Sequence, residues 1–316
     1  MPSPSTSSAT PCGGCIDPPL LAVKYEIVHR TRYTYEGSVT VSHHLARLAP
    51  RTLPGQRCPW HALEIYPTPV GRGGHMDSYG NTTAYFEIEG VHERLEVIAR
   101  SLVEVIPSGA KTGRVTPTWE EIRNACQGEK LTPGSDAGMF RFASPMVPVG
   151  PDFAAYAAPD FPSGRQILDG VIALTSRIYQ EFKFDPRATD VTTPVADVLR
   201  KRAGVCQDFA HLMLSCLRSL GLPARYVSGY LETAPPPGQK RLVGADASHA
   251  WVSVFCGDEA GWVDADPTNN VLPGERHITL AWGRDFSDVS PLRGVTLGAG
   301  NQWLEIAVDV IPLEEG

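Results

Sequence analysis

Hydrophobic and polar positions along this chain follow two regimes. Over residues 22–106 short apolar and polar runs alternate, as in Leu95-Glu96-Val97-Ile98-Ala99 and Ser101-Leu102-Val103-Glu104-Val105, with turn signals at Glu36-Gly37 and Gly80-Asn81. That pattern predicts a β-sandwich. A Pro-, Gly- and Ser-rich stretch around 107–117 marks a boundary, after which Trp119 to Arg123 starts a short helical element. Beyond irregular residues 131–163, Ile167, Val171, Leu174 and Ile178 recur along one helical face, which predicts a helix over 164–182 capped by Ser163. Thr193 and Pro194 read as the N-cap and first position of a short helix through Val195, Val198 and Leu199. Gly204 then breaks the chain.

A further helix is predicted over 206–220, where Ala210, Met213, Leu214, Leu217 and Leu220 form a broad apolar stripe and Gly221 and Pro223 supply the stop. Residues 248–256 read as a strand, rich in Trp251, Val252, Val254 and Phe255, and 261–266 as the next. The short Gly257-Asp258-Glu259-Ala260 link makes them an antiparallel hairpin. With a period of two, His249, Trp251, Ser253 and Phe255 share one face, and Trp262, Asp264 and Asp266 share one side of the partner strand.

These placements give three residue types a chemical meaning. Cys206 falls in the first turn of its helix, where unpaired N–H groups and the positive end of the dipole favour a thiolate and are able to hold an oxyanion. A nucleophile of this kind needs a base to move protons and an acceptor to fix the base's tautomer. His249 is the candidate base. Asp264 and Asp266, about 6 to 7 Å apart along one face, are both candidates for orienting it, and spacing does not choose between them. A cysteine at a helix start, a strand histidine or a strand-end aspartate is each, alone, more often a packing residue. Their combination in one order is what points to catalysis.

The motifs around these residues resemble the transglutaminase-like superfamily, specifically a bacterial branch described as transglutaminase-like enzymes and cysteine proteases. The resemblance rests on 204–211 (Gly-Val-Cys-Gln-Asp-Phe-Ala-His), 223–231 (Pro-Ala-Arg-Tyr-Val-Ser-Gly-Tyr-Leu), Ser248-His249-Ala250-Trp251-Val252, 261–269 (Gly-Trp-Val-Asp-Ala-Asp-Pro-Thr-Asn) and 283–291 (Gly-Arg-Asp-Phe-Ser-Asp-Val-Ser-Pro). Residues 25–35, 47–51 and 77–81 also resemble the small all-β domain that precedes the core in this branch. The resemblance implies Cys206 as nucleophile, His249 as base and Asp266 as the third member, with Asp264 as runner-up. It implies no dissociable organic cofactor.

Composition narrows the setting. The chain has 316 residues, 42% of them apolar, enough for about two domains with real cores. No apolar run approaches membrane-spanning length. A formal charge of −7, with the 28 basic residues scattered, argues against nucleic acid as a partner. Residues 1–20 are rich in Ser, Thr, Pro and Gly without the basic and apolar parts of a secretory signal, and read as a disordered leader. The expected location is cytoplasmic. Seven cysteines, an odd number spread over the chain, fit reduced thiols, and the Cys12/Cys15 pair in the leader reads as incidental.

The remaining candidates fall into place around the three. Gln207 and Trp251 are possible supporting residues, the former toward an oxyanion or substrate amide. His211, about 140° around the helix from Cys206, reads as structural, and Asp208 as a dipole-stabilising residue. His277, Arg284, Asp285 and Asp288 are expected to fix the C-terminal segment, and the 232–247 loop is a candidate lid. No metal site is expected, since the ligand types lack compact zinc spacing and no calcium-loop pattern occurs.

The sequence therefore predicts an α+β chain: a leader (1–20), an N-terminal β-sandwich (21–106) and a papain-like, transglutaminase-like core (107–316) in which a helix-start cysteine packs on an antiparallel sheet. The expected activity is cysteine-dependent acyl transfer on peptide or side-chain amides through a thioester, ending in hydrolysis. Transfer to an amine, as in a protein-glutamine transglutaminase, and a non-catalytic binding module on the same fold are the alternatives.

Overall fold

The computed structural model describes residues 22–106, 115–127, 136–233, 247–298 and 300–313. The leader with Cys12 and Cys15, most of the 107–117 boundary and nearly all of the candidate lid lie outside the described residues.

Four strands open the fold: β1 (Val23–Ala46), β2 (Gln56–Tyr66), β3 (Gly71–Met76) and β4 (Thr82–Val105). β1 and β4 pair antiparallel along almost their whole length, so the turn expected at Glu36-Gly37 does not form. The chain instead passes through an irregularity between Thr34 and Val41, faced on β4 by Gly90 at φ 100°. A bulge there bends the pair without ending it, and the positive φ suits glycine. Alternation along β1 turns Tyr25, Ile27, His29 and Thr31 inward, as the period-two pattern requires.

The second part runs α1 (Trp119–Gln127), α2 (Pro151–Ala157), α3 (Ile167–Glu181), β5 (Lys183–Phe184), α4 (Val195–Lys201), β6 (Ala203–Gly204), α5 (Cys206–Ser219), β7 (Ala224–Leu231), β8 (Ala247–Phe255), β9 (Trp262–Ala265), β10 (His277–Gly283) and α6 (Phe286–Val289). α3 starts at Ile167 with Gln166 as its N-cap, not Ser163, and Pro194 rather than Thr193 precedes α4. Strands β10, β7, β8 and β9 form an antiparallel sheet in that order. α5 packs on β7 and β8 and is walled by α2, α3 and α4, so its residues from Asp208 to Arg218 are buried on every side rather than along a stripe. Gly221, at φ 80°, ends the helix as the sequence indicates.

The chain closes with β11 (Leu292–Gly298) and β12 (Gln302–Leu313), and here the fold departs from the expected division. Both strands pair with β1, β12 along residues 24–35 and β11 along 39–46, so this stretch belongs to the first sheet and not to the core. Without them one whole edge of β1 would present unpaired N–H and C=O groups. The first sheet thus has two halves, β12-β1-β4-β2 and β11-β1-β4-β3, whose inward residues share one buried cluster. Tyr230, Ile278 and Leu280 of the second sheet enter that cluster, and the Tyr230 hydroxyl lies 2.9 Å from His29 Nδ1.

Gly229 shows how tightly the second sheet is packed. It faces His249 across the β7–β8 ladder, and a Cβ there would collide with the Ile278 carbonyl and the Trp251 indole. Gly229→Ala is expected to cost roughly 3 kcal/mol, because neither the backbone nor a buried indole has room to give. Urea denaturation followed by tryptophan fluorescence measures the loss.

Candidate active site

The start of α5 is fixed by a local capping arrangement. Val205 is extended (φ −118°, ψ 178°), and its N–H donates to Asp208 Oδ2 at 2.8 Å. The Thr189 hydroxyl donates to the same oxygen at 2.6 Å. Gly204 permits this approach, since a Cβ at 204 would stand 2.6 Å from Asp208 Oδ2 and 2.9 Å from its Cβ. Burial lifts the Asp208 carboxyl above its ordinary range, against the bonds from Thr189 and Val205. The result is a helix whose first residue, Cys206, is half-buried and borders the apolar core without being sealed in it. Gln207 follows it, also half-buried.

β8 brings His249 to this helix start. Its ring is nearly buried, and the Cys206 side chain is among the groups that act on it. Nε2 is engaged elsewhere, 2.7 Å from Asp266 Oδ2, which leaves Nδ1 as the nitrogen for sulfur. Burial alone would lower the His249 pKa, but the bonds and charges of Asp266 and Cys206 outweigh it and raise it to about 10. Asp266 has no solvent exposure. Burial would raise its carboxyl, yet the bonds from His249 and His277, the His249 charge and the Asn269 amide hold it far below the carboxylate range.

The two carboxylates left open by spacing have separate places. β9 ends at Ala265, so Asp266 lies past the strand, in an isolated bridge with Val271, and its side chain is free of the strand's period. Oδ1 accepts the Thr268 and Asn269 amides at 2.9 and 3.2 Å, while Asn269 Nδ2 donates to Oδ2 at 2.7 Å. Asp264 stays on the strand face and accepts the Trp251 indole N–H at 3.1 Å. It does not meet His249. Trp251 is fully buried, with its ring 6.0 Å from that of His249, so it backs the imidazole rather than lining an open cleft.

Two residues at the site were not singled out for it by the sequence. His277, expected as an anchor of the C-terminal segment, places Nε2 3.1 Å from Asp266 Oδ2. Asn269 belonged to a quoted motif without a role of its own. Neither has a local signal, because β10 returns to the carboxylate only through sheet pairing. Arg284 and Asp288 pair at 2.9 Å, and Asp285 caps α6 through the Ser287 amide and accepts from Met146, which ties this segment to the core. His211 is buried and accepts the Phe286 amide at 3.2 Å, a structural role.

His249, Asp266 and His277 also bring three potential metal-ligand atoms, two imidazole nitrogens and a carboxylate oxygen, within 4.8 Å of one another. The 2.7 Å separation of His249 and Asp266 is that of a charge-assisted hydrogen bond. It is shorter than the roughly 3.3 Å between ligands of a tetrahedral zinc with bonds of about 2 Å. A cation would have to displace the ring proton and spread the group.

The fold is that of a transglutaminase-like protein, and similarity to known proteins agrees. Residues 25–104 match the bacterial transglutaminase-like N-terminal region and residues 160–267 match the transglutaminase-like superfamily. An uncharacterised protein of Mycobacterium tuberculosis is 41% identical over 298 residues, covering 92% of this chain and 93% of its own. One of Mycobacterium leprae is 31% identical over 293 residues, covering 92% and 99%. A 109-residue stretch is 37% identical to a protein-glutamine gamma-glutamyltransferase of Pseudomonas aeruginosa, 32% of this chain and 16% of that one. Among solved structures, a Cytophaga hutchinsonii protein provisionally described as a cysteine protease shares the fold with a TM-score of 0.71 at 20% identity, covering 93% and 92% of the two chains. The chain belongs to the transglutaminase-like superfamily, in the bacterial branch that carries this N-terminal region.

The His249–Asp266 pair sets a pH dependence. The imidazole titrates at about 10 when folded against 6.5 for the ordinary group, so its stabilisation is complete below pH 6.5 and is lost as pH rises through 10. Asp266, shifted down, contributes above its ordinary value of 3.8 and loses that contribution as pH falls. Urea denaturation at successive pH values is expected to show stability declining between pH 7 and 10. Asp266→Asn is expected to flatten that decline and to cost about 3 to 5 kcal/mol at pH 7.

Proposed function

We propose that this chain is a cysteine-dependent enzyme that cleaves peptide or side-chain amide bonds through a thioester, with water as the final acceptor. The observation that carries this reading is the nearly buried His249 ring, acted on by the Cys206 side chain and held 2.7 Å from the Asp266 carboxylate. The Cys206 thiol proton passes to His249 as the reaction starts. Cys206 sulfur attacks the amide carbonyl carbon, and the N–H groups at the start of α5 stabilise the oxyanion. The C–N bond breaks as His249 gives its proton to the leaving amine, leaving a thioester. His249 then takes a proton from water, the hydroxyl adds to the carbonyl, and the C–S bond breaks as the sulfur recovers its proton from His249.

Asp266 holds the imidazole in the required tautomer and balances its charge; Asn269 and His277 hold Asp266. A macromolecular or peptide amide is the substrate class, and the cysteines at 58, 126, 206, 216 and 256, all unpaired, support a reducing, cytoplasmic setting. The 37% match to a gamma-glutamyltransferase favours a second reading, in which a primary amine replaces water in the last step.

Incubation with a glutamine-containing peptide library and a labelled primary amine, analysed by mass spectrometry, separates the two. Cleavage or deamidation without label, abolished in Cys206→Ala and reduced about 10⁴-fold in His249→Ala, is the expected result. Label incorporation would replace water by an amine acceptor. Products that persist in Cys206→Ala would remove this cysteine from the mechanism.

A further inference from the structure

A second site lies on the sheet face that carries His249, toward its other end. Cross-strand partners share a face, and Arg225 and Asp264 both pair with Ser253, while Trp262 pairs with Phe255. Ser253 and Phe255 alternate in phase with His249, so all of these groups project to one side. A cavity of about 410 Å³ opens among Arg225, Asp264, Trp262, Trp282, Thr279 and Leu53, the last contributed by the N-terminal part of the chain.

Arg225 is half-buried and its surroundings differ from those of the buried Arg218. Its guanidinium carbon lies 4.2 Å from the Trp262 ring centroid and 3.7 Å from that of Trp282, whose ring is also covered by Arg51 at 3.5 Å. Its Nε is buried without a hydrogen-bond partner among the described residues. Arg218 shows how this fold treats a guanidinium that serves only structure: its nitrogens meet the carbonyls of Ala224, Phe142 and Arg284. Arg225 has aromatic faces and, among the described residues, no such carbonyl bonded to it. Burial accordingly pulls its pKa down to about 9, with Asp264 opposing and Arg51 adding to the fall.

Charge defines what would fit. Of the lining residues Arg225 is positive and Asp264, already accepting from Trp251, is negative, while Arg51, stacked on Trp282 outside the lining, adds a second positive charge close by. Asp77, which also acts on Arg51, is paired with Arg47 at 3.2 Å. With Arg51 included, the surroundings of the cavity are one positive charge in excess, which suits a monoanion and penalises a dianion. A planar guanidinium is matched by a carboxylate in two-point contact, and the indoles with Leu53 suit a short apolar body.

We propose that this cavity binds the carboxylate of a small N-acylated amino acid or peptide end, with Arg225 as the recognising fork. The site is separate from Cys206 and does not depend on the acyl-transfer reading. Tryptophan fluorescence of the full chain, titrated in parallel with N-acetylglycine, its neutral amide and inorganic phosphate, tests it. Saturable change with N-acetylglycine and none with the amide is expected, unchanged in Cys206→Ala. Arg225→Gln is expected to weaken binding about tenfold or more. Asp264→Asn, which keeps an acceptor for Trp251 while removing the repelling charge, is expected to tighten it about threefold. If Arg225→Gln does not fold by circular dichroism, Asp264→Asn decides alone. Equal binding of the amide, preference for phosphate, absence of saturation, or an unaltered affinity in Asp264→Asn overturns the assignment and leaves Arg225 as an aromatic-packed structural residue.

Discussion

A carboxylate with no exposure to water is kept ionised at the end of β9, and the rest of the site depends on how that charge is met. Asp266 takes two backbone amides on one oxygen and three side-chain donors, His249, Asn269 and His277, on the other. An isolated buried carboxylate would protonate instead of persisting. These donors come from a turn after β9, from β8 and from β10, so the charge is satisfied only when the sheet is complete. Its reward is a fixed imidazole: His249 has one nitrogen committed to Asp266 and one left for Cys206.

The nucleophile side is secured differently. Cys206 depends on a local break, in which Gly204 lets Asp208 fold back onto the Val205 amide and Thr189 completes the carboxylate's bonding. The helix behind it is buried on all sides, so its start cannot drift relative to the sheet. The N-terminal sheet adds rigidity from outside the core, because Tyr230, Ile278 and Leu280 of β7 and β10 pack into its buried cluster. The return of β11 and β12 to β1 ties the chain's end to its beginning and closes an edge that would otherwise be open.

Much of this was legible in the residues. The helix from Cys206 was readable because both its boundaries carry glycine signals, and the His249 strand because its β-favouring run is uninterrupted. Local pattern failed where long-range pairing decides. Glu36-Gly37 looks like a turn, but β1 pairs with β4 on both sides of it, up to Thr34 and again from Val39, so the strand bends there without ending. The final strands look like part of the core because alternation does not say which edge a strand will join. Period-two reasoning left Asp264 and Asp266 equal, since it assumed a strand that in fact stops at Ala265. His277 gave no signal for its place beside Asp266: that arises only from the register of β10 beside β7.

The coupling of Cys206 to a fixed imidazole is best tested by native-state alkylation with iodoacetamide at pH 7, with each cysteine followed by mass spectrometry. Cys206 and Cys58 are both half-buried, so access alone does not separate them. Cys206 is expected to react about tenfold or more faster than Cys58, and His249→Ala to erase that lead. Equal rates in the unaltered chain, or a lead that survives His249→Ala, would contradict the account.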